Sequence, residues 1–473
     1  MKSATKEVKP DKRLVPPAVL GVLRTLRGAG KQAWLAGGAV RDLQRIALGE
    51  KVTPPQDFDV ATDALPEDVQ RLFPRTAPTG IAHGTVTVLA EDHKVEVTTF
   101  RGEGPYLDGR RPSSVTFLGD IEGDLARRDF TVNAMAWDPL SGELRDPFGG
   151  VSDLRCGLLR AVRDPLERFR EDGLRPLRAV RFASTLRLAL DRATERAIPQ
   201  ALDVFAKVAW ERIREELSKL LVRGDPPSRG LRLLRRTGLL ARMVPELLEG
   251  VGFEQNPYHA YDVFRHTLRA VDFTPAVLTV RLAALLHDVG KPRTAQPPEP
   301  RGDHTFYKHE FLGEELTREI LQRLRYSAKE VERVALLVRE HNWYYRPEWN
   351  DATVRRTIAR IGPEALPELW ALRRADLRAR GRLVEAGLAN QQEVEARFDA
   401  ELRRASALRV KDLAIGGEDV MAALHIPPGP RVGKILTGLL DRVLDDPELN
   451  TRDALLRLAS EIDASPSTGN PQE

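Results

Sequence analysis

The chain has 473 residues, 42% of them hydrophobic, and its 73 Lys and Arg nearly balance 69 Asp and Glu for a formal net charge of +4. That length exceeds what one hydrophobic core usually serves and predicts several domains in series. No apolar run approaches the ~20 residues of a membrane helix, and no apolar core follows the basic residues 2–13, which excludes a membrane span or secretory signal and predicts a cytoplasmic protein.

Residues 1–20 read as a flexible basic arm, and residues 21–150 as the only part of mixed α/β character. There, β-like runs at Ala33-Trp34-Leu35, Val86-Thr87-Val88-Leu89 and Val95-Glu96-Val97-Thr98-Thr99-Phe100 alternate with helical stretches such as residues 66–73. From Pro165 onward apolar residues recur at three- and four-residue spacing, which predicts helices. Breaks at Gly224-Asp225-Pro226-Pro227, at residues 296–303, near Gly381 and at Pro427-Pro428-Gly429-Pro430 divide this part into 151–225, 226–385 and 386–463, with a disordered polar tail over 464–473. The fold class expected is α+β, a mixed α/β head followed by all-α domains. Cys156 stands alone, so disulfides and cysteine-based zinc clusters are excluded and any metal has oxygen or imidazole ligands.

Leu35-Ala36-Gly37-Gly38-Ala39-Val40-Arg41-Asp42 reads as a strand that turns through two glycines into a helix, where backbone N–H groups can approach a triphosphate and Arg41 can clamp an oxygen. Asp57 and Asp59 alternate on a strand and would share one face, a hard-oxygen pair suited to Mg²⁺. A solvated strand face is the competing reading. Glu96 argues against it, because it lies inside the apolar run 95–100, a costly place for an unpaired charge. Three converging acids suit two-metal phosphoryl transfer.

These segments, with Gly80-Ile81-Ala82-His83-Gly84-Thr85-Val86-Thr87-Val88 and Arg127-Arg128-Asp129-Phe130-Thr131-Val132-Asn133-Ala134, resemble in order and spacing the head of class II CCA-adding enzymes, in the tRNA nucleotidyltransferase and poly(A) polymerase family of the DNA polymerase beta superfamily. The resemblance implies template-independent addition of C, C and A to tRNA 3′ ends from CTP and ATP with Mg²⁺. Asp57 and Asp59 would bind metal, Glu96 would assist, and Gly37, Gly38, Arg41, Arg128, Asp129 and Asn133 would hold the nucleotide. Addition of A alone, or of poly(A), is the narrower alternative. The segment 100–112 resembles the flexible loop of enzymes able to add the terminal A.

Asp172, Arg175, Arg178 and Arg181 recur at three-residue spacing, which on a helix forms one slowly rotating stripe; a salt-bridged surface helix has the same signature. Pro176 predicts a helix start or kink near Arg175. The stripe resembles the family's amino-acid template, which implies that Asp172 and Arg175 read the base edge, and Glu211-Arg212-Ile213-Arg214-Glu215-Glu216-Leu217 resembles a motif that braces it.

Further on, His266, His287, Asp288, His309, His341 and Asp376 offer imidazole and carboxylate ligands for one or two divalent metals. Leu285-Leu286-His287-Asp288-Val289-Gly290-Lys291-Pro292 resembles the HD phosphohydrolases, which implies a helical HD domain, a second divalent metal (Mn, Ni, Fe or Mg) and a competing reading in which metal-dependent hydrolysis is the main activity. The last helical region resembles the tRNA-binding tail of the same transferases. Arg431 and Lys434, beside a Gly/Pro turn, are its candidate phosphate contacts, with ordinary solvated charges the equal alternative.

Overall fold

A computed structural model describes residues 8–81, 84–103, 115–296, 305–343, 345, 346, 348–405 and 407–464. Most of the loop at 100–112, and all but the first residue of the tail at 464–473, lie outside the described residues. The chain divides into two compact units, Met1–Pro245 and Glu246–Glu473.

In the first unit, helix α1 (Pro17–Gly28) is followed by β1 (Ala33–Ala36), α2 (Gly38–Ala47), β2 (Phe58–Thr62), α3 (Pro66–Leu72), β3 (Thr76–Gly80), β4 (Thr85–Ala90), β5 (His93–Thr99), the short pair β6 (Arg101–Glu103) and β7 (Val115–Phe117), then β8 (Ala136–Asp138) and β9 (Glu143–Arg145). Among the described residues, seven strands form one mixed sheet in the order β3-β4-β5-β2-β1-β8-β9. The arm expected over 1–20 is ordered well before its end: Val15, Ala18, Val19 and Leu20 are buried, because α1 presents an apolar stripe to the sheet.

The sheet's centre explains the site. All four residues of β1 are buried. Strands β2 and β5 run parallel with Asp59 opposite Glu96, while β1 runs antiparallel to β2 with Ala36 opposite Asp59. The period of two puts Val95, Val97 and Thr99 of β5 in the core and leaves Glu96 on the open face. Glu96 therefore avoids the burial that its apolar neighbours suggested.

After the sheet, Pro165–Glu171 forms a short helix and Arg175–Thr185 a longer one starting at Arg175 with Pro176 in its first turn, where a missing N–H costs nothing. The latter packs on the helices Trp210–Arg223 and Pro227–Arg236. A Cβ on Gly230 would come within 2.8 Å of Leu220, so the glycine sets this close approach. Residues 227–245, expected to open the next domain, thus belong to the first unit.

The second unit is helical among the described residues. Leu278–Leu286 is buried on nearly every side and is surrounded by Val263–Phe273, Ala328–Glu340 and Leu366–Ala379, with His309–Arg323 packed on Ala328–Glu340. Asp351–Ile361 and Val384–Arg404 continue into Gly417–Leu424, Pro430–Asp445 and Arg452–Ala464, whose core includes Val420, Leu439, Val443 and Leu455. Buried Arg355 ties three of these helices together: its guanidinium donates to Glu401 at 2.6 Å and to the carbonyls of Leu444 and Asp445, each at 2.8 Å. Arg355→Ala would remove the closer counter-charge of the buried Glu401 carboxylate, leaving it Arg404 at 3.4 Å, and would free two carbonyls. It is expected to destabilise this unit by about 3–5 kcal/mol, read from denaturant unfolding of the full chain.

Candidate active site

The first unit holds a cavity of about 460 Å³ lined on one side by Gly37, Gly38, Arg41, Asp59, Glu96, Arg128, Asp129 and Asn133, and on the other by Asp172, Arg175, Arg178 and Phe182. Gly37 caps α2 at φ 75°, a backbone conformation that favours glycine, and a Cβ there would lie 2.6 Å from Arg128 Nη1 and displace that guanidinium. The amino end of α2 consequently opens on the cavity beside Asp59 and Arg128.

Burial pushes the Asp59 carboxyl above its ordinary range. Arg128 pulls it down, while Glu96 and Asp57 push it further up. A carboxylate whose proton affinity is raised by neighbouring carboxylates belongs to a hard-oxygen donor set that a divalent cation satisfies. Asp57 lies exposed just before β2 and outside the cavity lining, with its charge still acting on Asp59.

A buried polar network joins the two walls. Arg41 donates to Asp42 and, at 2.8 Å, to Asn133 Oδ1. Asn133 donates to Asp129 Oδ1 at 3.1 Å, and Arg178 places two bonds of 2.9 and 2.7 Å on Asp129 Oδ2. Burial alone would raise the Asp129 carboxyl, but Arg178 and Asn133 hold it down to about 2. Glu216 accepts from Arg181 at 2.5 Å and lies 3.6 Å from Arg178.

The expected helical stripe is corrected in two places. Asp172 is not on the helix; it ends the preceding one in extended conformation, accepting from Leu174 N–H and from Arg212 at 3.2 and 2.8 Å. Arg181 is drawn away from the cavity by Glu216 and lies flat over the Phe182 ring, 3.6 Å from its centroid. Arg175 does face the cavity, its guanidinium held by Glu171 and by the carbonyls of Arg168 and Arg127. Phe182 carries no motif signature of its own and only packing reveals it, whereas Arg212 lies in the segment 211–217 expected to brace this region and does so by holding Asp172.

In the second unit, four of the other five ligand candidates converge on Asp288, and the fifth, Asp376, meets two of those histidines. Asp288 Oδ2 lies 3.4 Å from His266 Nε2 and 3.2 Å from His287 Nε2, and its Oδ1 lies 3.7 Å from both His309 Nε2 and His341 Nε2. Asp376 Oδ1 is 2.9 Å from His266 Nε2. Three Nδ1 atoms face backbone carbonyls: His287 that of Ala284, His309 that of Phe306, His341 that of Val338. Donation there fixes the tautomer and turns the Nε2 lone pairs inward. Buried Asp288 Oδ1 has no hydrogen-bond partner among the described residues, which fits a metal-ligating oxygen. Sequence reading missed His259, which groups with His266 and Asp376. Seven residues before His266 and ahead of that residue's helix, it shares no helical face that would have betrayed it.

At the carboxyl end, Arg431 is occupied by Asp463 at 2.7 and 2.8 Å, while Lys434 is exposed on the same helix.

The chain matches the model of the poly A polymerase head domain over residues 33–160, that of a probable RNA and SrmB-binding site of polymerase A over 187–250, and that of the HD domain over 258–381. It is 34% identical to the CCA-adding enzyme of Lactiplantibacillus plantarum over 451 residues, 93% of this chain and 94% of that one. The CCA-adding enzyme of Anoxybacillus flavithermus is 47% identical over 230 residues, 48% of this chain, and there the match spans just over half of the relative, 55%. The crystal structure of the Bacillus stearothermophilus CCA-adding enzyme in complex with CTP superposes with a TM-score of 0.69 at 30% identity, covering 94% of this chain and 98% of that one. The head and HD domains imply dependence on divalent metal.

The Asp129 network carries a pH signature. Because the folded carboxyl is depressed from 3.8 to about 2, its contribution is complete above the unfolded value and is lost as pH falls from 3.8 towards 2. Acid titration of unfolding free energy should show about 2 kcal/mol less loss across that window in Asp129→Asn than in the parent.

Proposed function

Because the chain belongs to the CCA-adding enzyme family, we propose that it adds C, C and A to tRNA 3′ ends from CTP and ATP, releasing pyrophosphate at each step. The observation that carries this reading is the single cavity where Asp59 and Glu96 face Asp172 and Arg175. The backbone at Gly37 and Gly38 and the guanidinium of Arg128 receive the triphosphate. Asp57 and Asp59 would hold Mg²⁺, and that ion, when bound, would supply activation of the attacking ribose hydroxyl and charge neutralisation for the departing pyrophosphate. Glu96 adds negative charge beside Asp59 and keeps that edge of the cavity selective for cations.

Base choice falls to the opposite wall. The Asp172 carboxylate accepts from the exocyclic amine that C and A share, and Arg175 donates to ring nitrogen or carbonyl. Arg212 and the Leu174 N–H aim Asp172, as Glu171 and two carbonyls aim Arg175. Arg41, Asp129, Asn133 and Arg178 hold the two walls in register, and Arg181 acts through Glu216. Lys434 is the stronger of the two tail contacts for RNA phosphate, since Arg431 is already paired.

A second reading concerns the Asp288 cluster, where inward-turned imidazoles open on a cavity of about 350 Å³ containing Lys291 and Arg380. Neutral imidazoles with carboxylates suit Mn, Ni or Fe, and cations at the wall suit a phosphoester, so this centre is a metal-dependent phosphohydrolase site.

Labelled CTP and ATP offered to tRNAs ending at the discriminator base, at C and at CC test the main reading. All three should be completed to CCA. Extension of the CC-ended tRNA alone would mean A addition, and continued A incorporation would mean poly(A) synthesis. Asp59→Asn should lower incorporation by a factor on the order of 10³ or more with tRNA binding retained. Phosphodiesterase turnover, if it belongs to the second centre, should vanish in His287→Ala and survive in Asp59→Asn.

A further inference from the structure

We propose that His259 is an additional metal ligand of the Asp288-centred cluster, standing at its outer edge beside His266 and Asp376. The inference rests on reading that cluster as metal-binding. Ligand atoms of His259, His266 and Asp376 lie within 4.8 Å of one another, a set distinct from those that include Asp288. His259 is oriented in the same manner as the inner ligands. Its Nδ1 meets Asn256 Oδ1 at 2.8 Å, three residues upstream, as the Nδ1 atoms of His287, His309 and His341 meet oxygens three residues upstream. Donation to that oxygen leaves Nε2 with its lone pair available.

The neighbouring ring supplies a second observation. His266 Nδ1 is buried with no hydrogen-bond partner among the described residues, and the His259 ring stands edge-on to it with centroids 5.0 Å apart. Asp376 Oδ2 is occupied by Arg380 at 2.9 Å, which turns Oδ1 toward the histidines. Whereas His266, His287 and Asp288 are at most 1% exposed, His259 is only half-buried and lines the cavity that also contains Lys291 and Arg380. It therefore places an imidazole donor where the enclosed cluster meets the accessible cavity. Two imidazoles and one carboxylate oxygen suit Mn, Fe, Ni or Zn better than Mg.

The test counts metal rather than turnover. In full-length protein carrying D57N and D59N, which removes the head carboxylates, Mn²⁺ binding is measured by equilibrium dialysis with elemental analysis. His287→Ala should abolish tight binding, and His259→Ala and His259→Gln should each weaken it about 10-fold or remove part of the stoichiometry. Affinity and stoichiometry unchanged in both His259 variants would overturn the inference while leaving the metal centre standing. No Mn²⁺ binding in the D57N/D59N parent would overturn the metal reading and the inference together. Should the variants fail to fold, the unmodified chain gives the answer through diethylpyrocarbonate labelling of His259 read by mass spectrometry. Mn²⁺ should protect it, and equal labelling with and without Mn²⁺ would count against it.

Discussion

The buried Asp129 carboxylate joins the strand-bearing half of the first unit to its helical half. It can remain ionised in that position only because Arg178 reaches it from the Arg175–Thr185 helix with two short hydrogen bonds while Asn133 donates from the other side. Removing Arg178 would strand a buried charge. The pair therefore constrains geometry more than it adds stability: it fixes how far the base-facing wall stands from Asp59 and Glu96. Glu216 extends the constraint by engaging Arg181 and approaching Arg178, so a third helix braces the second.

Around that brace, the division of labour follows from backbone geometry. Parallel pairing of β2 with β5 sets Asp59 beside Glu96, and antiparallel pairing of β1 with β2 brings the glycine turn to the same edge. The amino end of α2 and side chains from residues 172–182 supply the rest. The second unit gathers its donor groups differently, with imidazoles turned inward by hydrogen bonds at Nδ1 and an aspartate at the centre. The first set of polar groups is carboxylate oxygen and the second largely imidazole nitrogen.

Local features were legible in the sequence: the alternating strand at residues 95–99, the glycine turn and the helix start near Pro176 from pattern and turn chemistry, and from residue type six His and Asp side chains that the fold gathers and buries. Features governed by long-range pairing were not. Three-residue spacing suggested one stripe from Asp172 to Arg181, but a carboxylate drawn to Arg212 ends one helix before the next begins, and Arg181 follows Glu216 instead of the cavity. Glu96 looked costly in an apolar run because sequence does not reveal which strand face is open. His259 escaped notice because its anchor is the side chain of Asn256, a contact outside any regular element.

The most direct test of this account is the rate of C and A incorporation by Arg178→Lys, measured beside tRNA binding. Lysine keeps the charge but not the two-bond geometry on Asp129. Addition of both nucleotides should fall together, on the order of 10²-fold, with tRNA affinity unchanged, because the two walls lose their shared register. Addition of C and A at the parent rate would contradict the claim that this ion pair sets the active geometry.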